Sequence, residues 1–120
     1  MTEQEARELI ERLFGVIDGT HFDELGQVFA QEAVYERPGY EPLRGLDRIE
    51  QFYRYERIIG AGQHQVAAVT CSAAGDAVAV GLFRGESRDG QPLKERFADV
   101  YRVSGGKIIH RTTYFFRAAI

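Results

Sequence analysis

The N-terminal half of the chain spaces its apolar residues three and four apart, whereas the C-terminal half alternates them with polar ones. Leu9, Ile10, Leu13, Phe14 and Ile17 share one helical stripe, which predicts an amphipathic helix over residues 3–17. Thr2 and Glu5 have the spacing of a capping box, and Asp18-Gly19 supplies the stop. A second, short helix is expected over "FDELGQVFA", with Leu25, Val28 and Phe29 inward, followed by a short strand at "AVYE". Pro38, Gly39 and Pro42 interrupt either kind of ladder, so "RPGYEPLRG" reads as irregular. Asp47 and Glu50 repeat the capping spacing, and Ile49, Phe52, Tyr53 and Ile59 predict a third helix over 47–59.

Four strands follow: "HQVAAVTCS", "AVAVGLFRGES", "LKERFADVYRV" and "KIIHRTTYFFRAA". Turn residues separate them at Ala74-Gly75-Asp76, Asp89-Gly90 and Ser104-Gly105-Gly106, which makes successive strands antiparallel neighbours. Helices followed by a meander give an α+β class: three N-terminal helices packed on a curved, mostly antiparallel sheet. A cone of this kind has a natural small-molecule pocket at its open end. The 120 residues suit one domain spanning 1–120.

The strand "FADVYRV" places Asp99 on the same face as Phe97, Tyr101 and Val103. A carboxylate among such neighbours needs a partner. If Ser104-Gly105-Gly106 is a three-residue loop, Val103 faces Lys107 and Asp99 lies directly opposite Arg111. A facing guanidinium favours the ionised carboxylate, suited to accept a proton or orient water. A two-residue turn would instead shift the register by one and send Arg111 to the other face.

Composition narrows the remaining classes. A net charge of −3 argues against nucleic acid as partner, and no apolar run reaches the length of a membrane span. "MTEQEARELIERLF" is too acidic and regularly polar for a signal peptide, so a cytoplasmic location is expected. Cys71 is the only cysteine and reads as a structural thiol. His21, His64 and His110 lack metal-ligand spacing, so no metal is expected; His21 reads as structural, His110 as a surface or interface residue, and His64 as either ligand-facing or solvated. Arg7, Arg12, Arg48, Arg54 and Arg57 are assigned to solvated helix faces. Ile108, Thr112, Tyr114 and Phe116 would leave an apolar patch on the outer sheet face, which predicts a symmetric homodimer.

Three segments in order, "VIDGTHFDELGQVFAQEAVYERPG", "LRGLDRIEQFY" and "FADVYRVSGGKIIHRTTYF", resemble the NTF2-like superfamily, in particular SnoaL-like polyketide cyclases and steroid Δ-isomerase-like proteins. The resemblance implies that Asp99 corresponds to the strand aspartate of the steroid isomerases and Tyr53 to a tyrosine of the same hydrogen-bond network. Leu13 stands at the first-helix tyrosine position and Phe29 at a second network tyrosine; the base position falls on Arg37, with Glu36 beside it. Base and principal oxyanion donor are thus both replaced, and steroid isomerisation by that mechanism is not expected.

SnoaL-like cyclases depend mainly on a single acid–base carboxylate in an apolar cavity, which Asp99 can supply. Limonene-type epoxide hydrolases of the same fold use two carboxylates and an arginine, for which Asp99, Glu36 and Arg111 are the candidates. The resemblance therefore implies a cofactor-independent enzyme acting on a small hydrophobic, polyketide- or terpenoid-like substrate. Asp99, Arg111, Tyr53 and Glu36 are its candidate catalytic residues. Leu13, Phe29, Arg37, Phe52, His64, Phe97, Thr113 and Phe115 are the candidate pocket residues. The alternatives are an epoxide hydrolase and a non-catalytic binding or dimerisation module. A pocket that reaches Asp99 favours chemistry, and a cone filled by side chains favours a module.

Overall fold

The computed structural model describes residues 1–117. Helix α1 runs Glu3–Asp18 and begins on the expected capping box: Thr2 Oγ1 accepts from the Glu5 amide at 3.1 Å, and Glu5 Oε1 accepts from the Thr2 amide at 2.9 Å. Its apolar stripe of Ala6, Leu9, Ile10, Leu13, Phe14 and Ile17 is buried against the sheet. The second helix is shorter than its sequence suggests. Phe22–Gln27 forms a 3₁₀ turn, and Phe29 already opens strand β1, Phe29–Glu36. Strand β2, Leu43–Arg44, lies within the stretch read as irregular and pairs antiparallel with β1.

The third helix is also divided. Helix α2 covers Leu46–Gln51, widens into a π turn over Phe52–Glu56 and ends there, so Ile59 begins a strand instead of closing a helix. Strands β3 (Ile59–Cys71), β4 (Asp76–Ser87), β5 (Pro92–Ser104) and β6 (Lys107–Phe115) form the meander. The expected end of the last strand, at residues 118–119, lies outside the described residues.

The sheet is mixed, in the order β2-β1-β6-β5-β4-β3. β1 runs parallel to β6, and every other pair is antiparallel. The core lies between the helices and the concave sheet face, where Leu13, Leu25, Phe29, Phe52 and Tyr101 are fully buried. No helix among the described residues is long and apolar enough to cross a membrane.

The β5–β6 hairpin corrects the expected register. Ser104 pairs with Lys107 across a two-residue turn, in which Gly105 and Gly106 have φ of +59° and +77°. Both central residues of such a turn need the left-handed region, which glycine enters without steric cost. Val103 then faces Ile108, but Arg102 faces His110, so Ile109 is an extra residue in β6. This bulge restores the parity that the shorter turn had shifted. Asp99 lies opposite Thr113, and Tyr101 lies opposite Arg111, all on one face. The bulge also turns Ile108 into the core, so it is no part of an outer patch.

Candidate functional site

Pairing Asp99 with Thr113 and Tyr101 with Arg111 makes a two-by-two block of polar side chains on the concave face. Asp99 is 0% and Arg111 3% exposed. Asp99 Oδ2 accepts from Tyr101 Oη at 2.7 Å and from Arg111 Nη2 and Nε at 2.9 and 3.3 Å; Oδ1 accepts from Thr113 Oγ1 at 2.5 Å. The expected ion pair therefore forms on the diagonal of the ladder, not directly across it. Charge-assisted bonds of this kind compensate a buried carboxylate, which would otherwise be costly.

The network extends in two directions. Thr113 gives its proton to Asp99, so the 2.8 Å contact between Thr113 Oγ1 and Tyr35 Oη has Tyr35 as donor. Tyr35 Oη in turn accepts from Arg37 Nη1 at 3.0 Å. On the other side, Arg111 Nη1 donates to Tyr53 Oη at 2.8 Å, so one guanidinium holds both the carboxylate and a phenol. Burial, which opposes charge on Arg111, is outweighed by Asp99 and the surrounding tyrosines, and its pKa lies well above the usual arginine value. Burial likewise raises the Tyr53 hydroxyl far above a free phenol, with Arg111 opposing, so Tyr53 keeps its proton at neutral pH. Its oxygen accepts from Arg111, and its proton is left for a donation into the cavity.

His64 stands on β3, with its ring stacked 4.1 Å from that of Phe14 at an interplanar angle of 7°. Asp18, at the end of α1, accepts from the His64 amide at 2.8 Å and lies 2.7 Å from Nδ1. A carboxylate at Nδ1 selects the tautomer protonated there and leaves Nε2 as an acceptor. Burial lowers the His64 pKa below 6.5, with Asp18 opposing. The unfolded chain therefore takes up this proton at a higher pH than the folded one. The resulting stability is present above pH 6.5 and is lost as pH falls from there through the folded pKa. Urea midpoints at pH 7 and pH 5 should accordingly fall further for wild type than for His64→Phe; equal declines would refute this account.

Asp99, Arg111, Thr113, Tyr53 and His64 line a cavity together with Ile17, Tyr35, Arg37, Arg57, Ile59, Phe83, Phe97 and Phe115. It offers about 20 Å³ to the centres of water-sized bodies, room for about one or two waters. The cavity reaches Asp99, yet the cone around it is largely filled. Gly62 contributes to the filling, because a Cβ there would collide with the Phe83 ring.

Of the residues expected at the site, Asp99, Arg111, Tyr53, Arg37, His64, Phe97, Thr113 and Phe115 converge on the cavity. Leu13, Phe29 and Phe52 are in the core and do not line it. Glu36 and Arg37 are sent to opposite faces. Arg37 turns inward, 5.1 Å over the Phe52 ring, while Glu36 points outward to His110 Nε2 at 2.6 Å. The candidate catalytic role of Glu36 thus loses its geometry: its side chain is half exposed on the far side of the sheet. Arg57 is a further correction. Assigned to a solvated face, it is 4% exposed and lies 5.3 Å over the Tyr53 ring. Its position four residues after Tyr53 on the helical stripe was the available signal. Tyr35 and Tyr101, both fully buried, are hydrogen-bonded members of the network.

Solved structures place this architecture among known folds. A putative SnoaL-like polyketide cyclase from Jannaschia sp. CCS1 superposes with a TM-score of 0.80 at 14% identity, covering 95% of this chain and 87% of that one. An LEH-like epoxide hydrolase of M. tuberculosis gives 0.79 at 18% identity, covering 94% and 84%. A protein of ketosteroid isomerase-like fold from Catenulispora acidiphila, in complex with trimethylamine, gives 0.79 at 17% identity, covering 89% and 84%. At these identities the likeness is one of fold. No curated protein matches the sequence. The family model described as the SnoaL-like domain does match, over residues 10–111, and the chain therefore belongs to the SnoaL-like domain family.

Proposed function

We propose that this protein is an enzyme of general acid–base type, a cyclase or isomerase acting on a small, oxygen-bearing hydrophobic molecule. The observation that carries this reading is the arrangement of Asp99 and Tyr53 on one Arg111 guanidinium at the wall of the cavity. Asp99 supplies the proton acceptor. Tyr53, protonated and polarised by Arg111, supplies a hydrogen-bond donor for a substrate oxygen that gains negative charge. Phe97, Phe115 and Phe83 form the apolar walls. At about 20 Å³ the cavity is smaller than a ring, so this reading requires the lining side chains to shift when substrate binds.

The epoxide hydrolase reading is weaker, because the second carboxylate it needs is not at hand. Asp99 is the only carboxylate among the described cavity-lining residues. A screen of hydroxyl- and enone-bearing polycyclic compounds tests the proposal: turnover should occur in wild type and be lost in Asp99→Asn. A protein that turns over nothing but still binds such compounds would favour the non-catalytic module.

The reading includes a homodimer through the outer sheet face, where Val80, Val100, Tyr114 and Phe116 are exposed. Two copies related by a twofold axis would cover this patch on both. Light scattering at high micromolar concentration should give twice the 13.6 kDa chain mass, and Tyr114→Glu should return the particle to the monomer. A wild-type particle of 13.6 kDa would rule the dimer out.

A further inference from the structure

Three guanidinium groups and one carboxylate line the cavity: Arg37, Arg57, Arg111 and Asp99. Arg111 is spent on Asp99 and Tyr53, and Arg37 holds Tyr35. Arg57 is the third. It is 96% buried (4% exposed), and its Nε is fully enclosed with no acceptor among the described residues. Its surroundings are the rings of Phe22 and Tyr53, 5.4 and 5.3 Å from the guanidinium carbon. Rings soften the cost of a buried cation, but they do not replace a hydrogen-bond acceptor.

The neighbourhood makes the charge harder to hold. Burial lowers the Arg57 pKa first; Tyr53 opposes this, while Arg37 and Arg88 add to the lowering and Asp18 gives the weakest relief. Local structure keeps the residue in place nonetheless. The π turn ends at Glu56, and the Arg57 backbone is extended at φ −67° and ψ 149°. The Arg57 amide donates to Phe52 O at 3.0 Å, and its carbonyl accepts from Arg88 Nε at 2.6 Å. Anchored at both backbone groups, the side chain lies along the cavity wall.

We infer that Arg57 is an anion-binding residue, and that the molecule this cavity takes is a small apolar monocarboxylate whose carboxylate sits on the Arg57 guanidinium. This deepens the acid–base reading of the same cavity and rests on it for the identification of the occupant as substrate. A carboxylate matches the guanidinium fork and supplies both the missing acceptor and the missing charge. A neutral carbonyl supplies the acceptor alone. A phosphate brings bulk and a hydration demand that the aromatic walls do not meet. With the carboxylate at Arg57, beside the Tyr53 ring, the rest of the molecule is directed toward Tyr53 and Asp99.

The test uses two matched pairs of probes, acetate with acetamide and benzoate with benzamide, titrated into the full chain by calorimetry. At least one carboxylate should bind wild type about tenfold or more tightly than its amide. Arg57→Met should abolish that preference, and Arg57→Lys, which keeps the charge without the fork, should retain part of it. Asp99→Asn should leave the preference standing, so loss of the acid–base reading and loss of this one are separable. Equal binding of carboxylates and amides, no carboxylate binding to wild type up to about 10 mM, or a preference unchanged in Arg57→Met would each overturn the inference. The wild-type comparison alone decides the matter should the methionine variant fail to fold.

Discussion

Arg111→Met will destabilise the protein by about 3–5 kcal/mol, the cost of leaving one member of a buried pair without the other. Asp99 is wholly enclosed, and two of its four donor contacts come from Arg111, at 2.9 and 3.3 Å. The hydroxyls of Tyr101 and Thr113 would remain, but neither carries charge. Tyr53 Oη would lose its donor at 2.8 Å, and the Tyr35 ring would lose the guanidinium 4.5 Å above it. Since domains of this size are stable by about 5–15 kcal/mol, the loss is a large fraction of the total. Replacing both partners, as in Asp99→Leu with Arg111→Met, should recover most of it, because a buried pair exchanged for apolar side chains is often neutral. Urea denaturation of the wild type, the single variant and the double variant decides this. A single variant within about 1 kcal/mol of wild type would show that the pair is not what compensates Asp99.

The same pair illustrates what the sequence could and could not reveal. Alternation along "FADVYRV" and "HRTTYF" was enough to put Asp99 with Tyr101 on one face of β5 and Arg111 with Thr113 on one face of β6, because period two is a local property of strands. The register was not local. Ser104-Gly105-Gly106 is compatible with loops of two or three residues, and the bulge at Ile109 carries no residue signature of its own. Two departures of one residue each cancelled in parity, so the shared face survived although the partner directly opposite Asp99 became Thr113. Glu36 and Arg37 show the reverse case. Adjacent residues must diverge, but which one enters the cone depends on how β1 docks beside β6, a contact far away in sequence.

Arg57 departs from the rule that a charged residue on a helix faces water. Its spacing from Tyr53 pointed inward all along. What the spacing could not show is that the helix would widen over Phe52–Glu56 and stop, bringing the side chain to the cavity in place of solvent. The alignment of strands, caps and apolar stripes therefore came from local rules, whereas the charge balance of the cavity came from tertiary placement.

Asp99→Asn should lower kcat by about 10²–10⁴-fold, the usual contribution of a positioned acid–base group, on whichever compound the screen identifies. Asparagine has the shape of aspartate and can keep much of the network. Its carbonyl oxygen can accept from Arg111 and Tyr101 in the position of Oδ2. Its amide would then face Thr113 Oγ1, which can accept from it only by turning its own proton toward Tyr35. Tyr35 also receives Arg37 Nη1 at 3.0 Å, so its own proton would have to find another acceptor. The variant thus reverses one link of the chain while removing the only carboxylate among the described cavity-lining residues. Tyr53 would still be held by Arg111, so substrate binding through its hydroxyl should persist and KM should change less than kcat. Far-UV circular dichroism on the same preparation establishes that the variant is folded. A kcat within about tenfold of wild type would remove Asp99 from the chemistry and leave it a structural partner of Arg111.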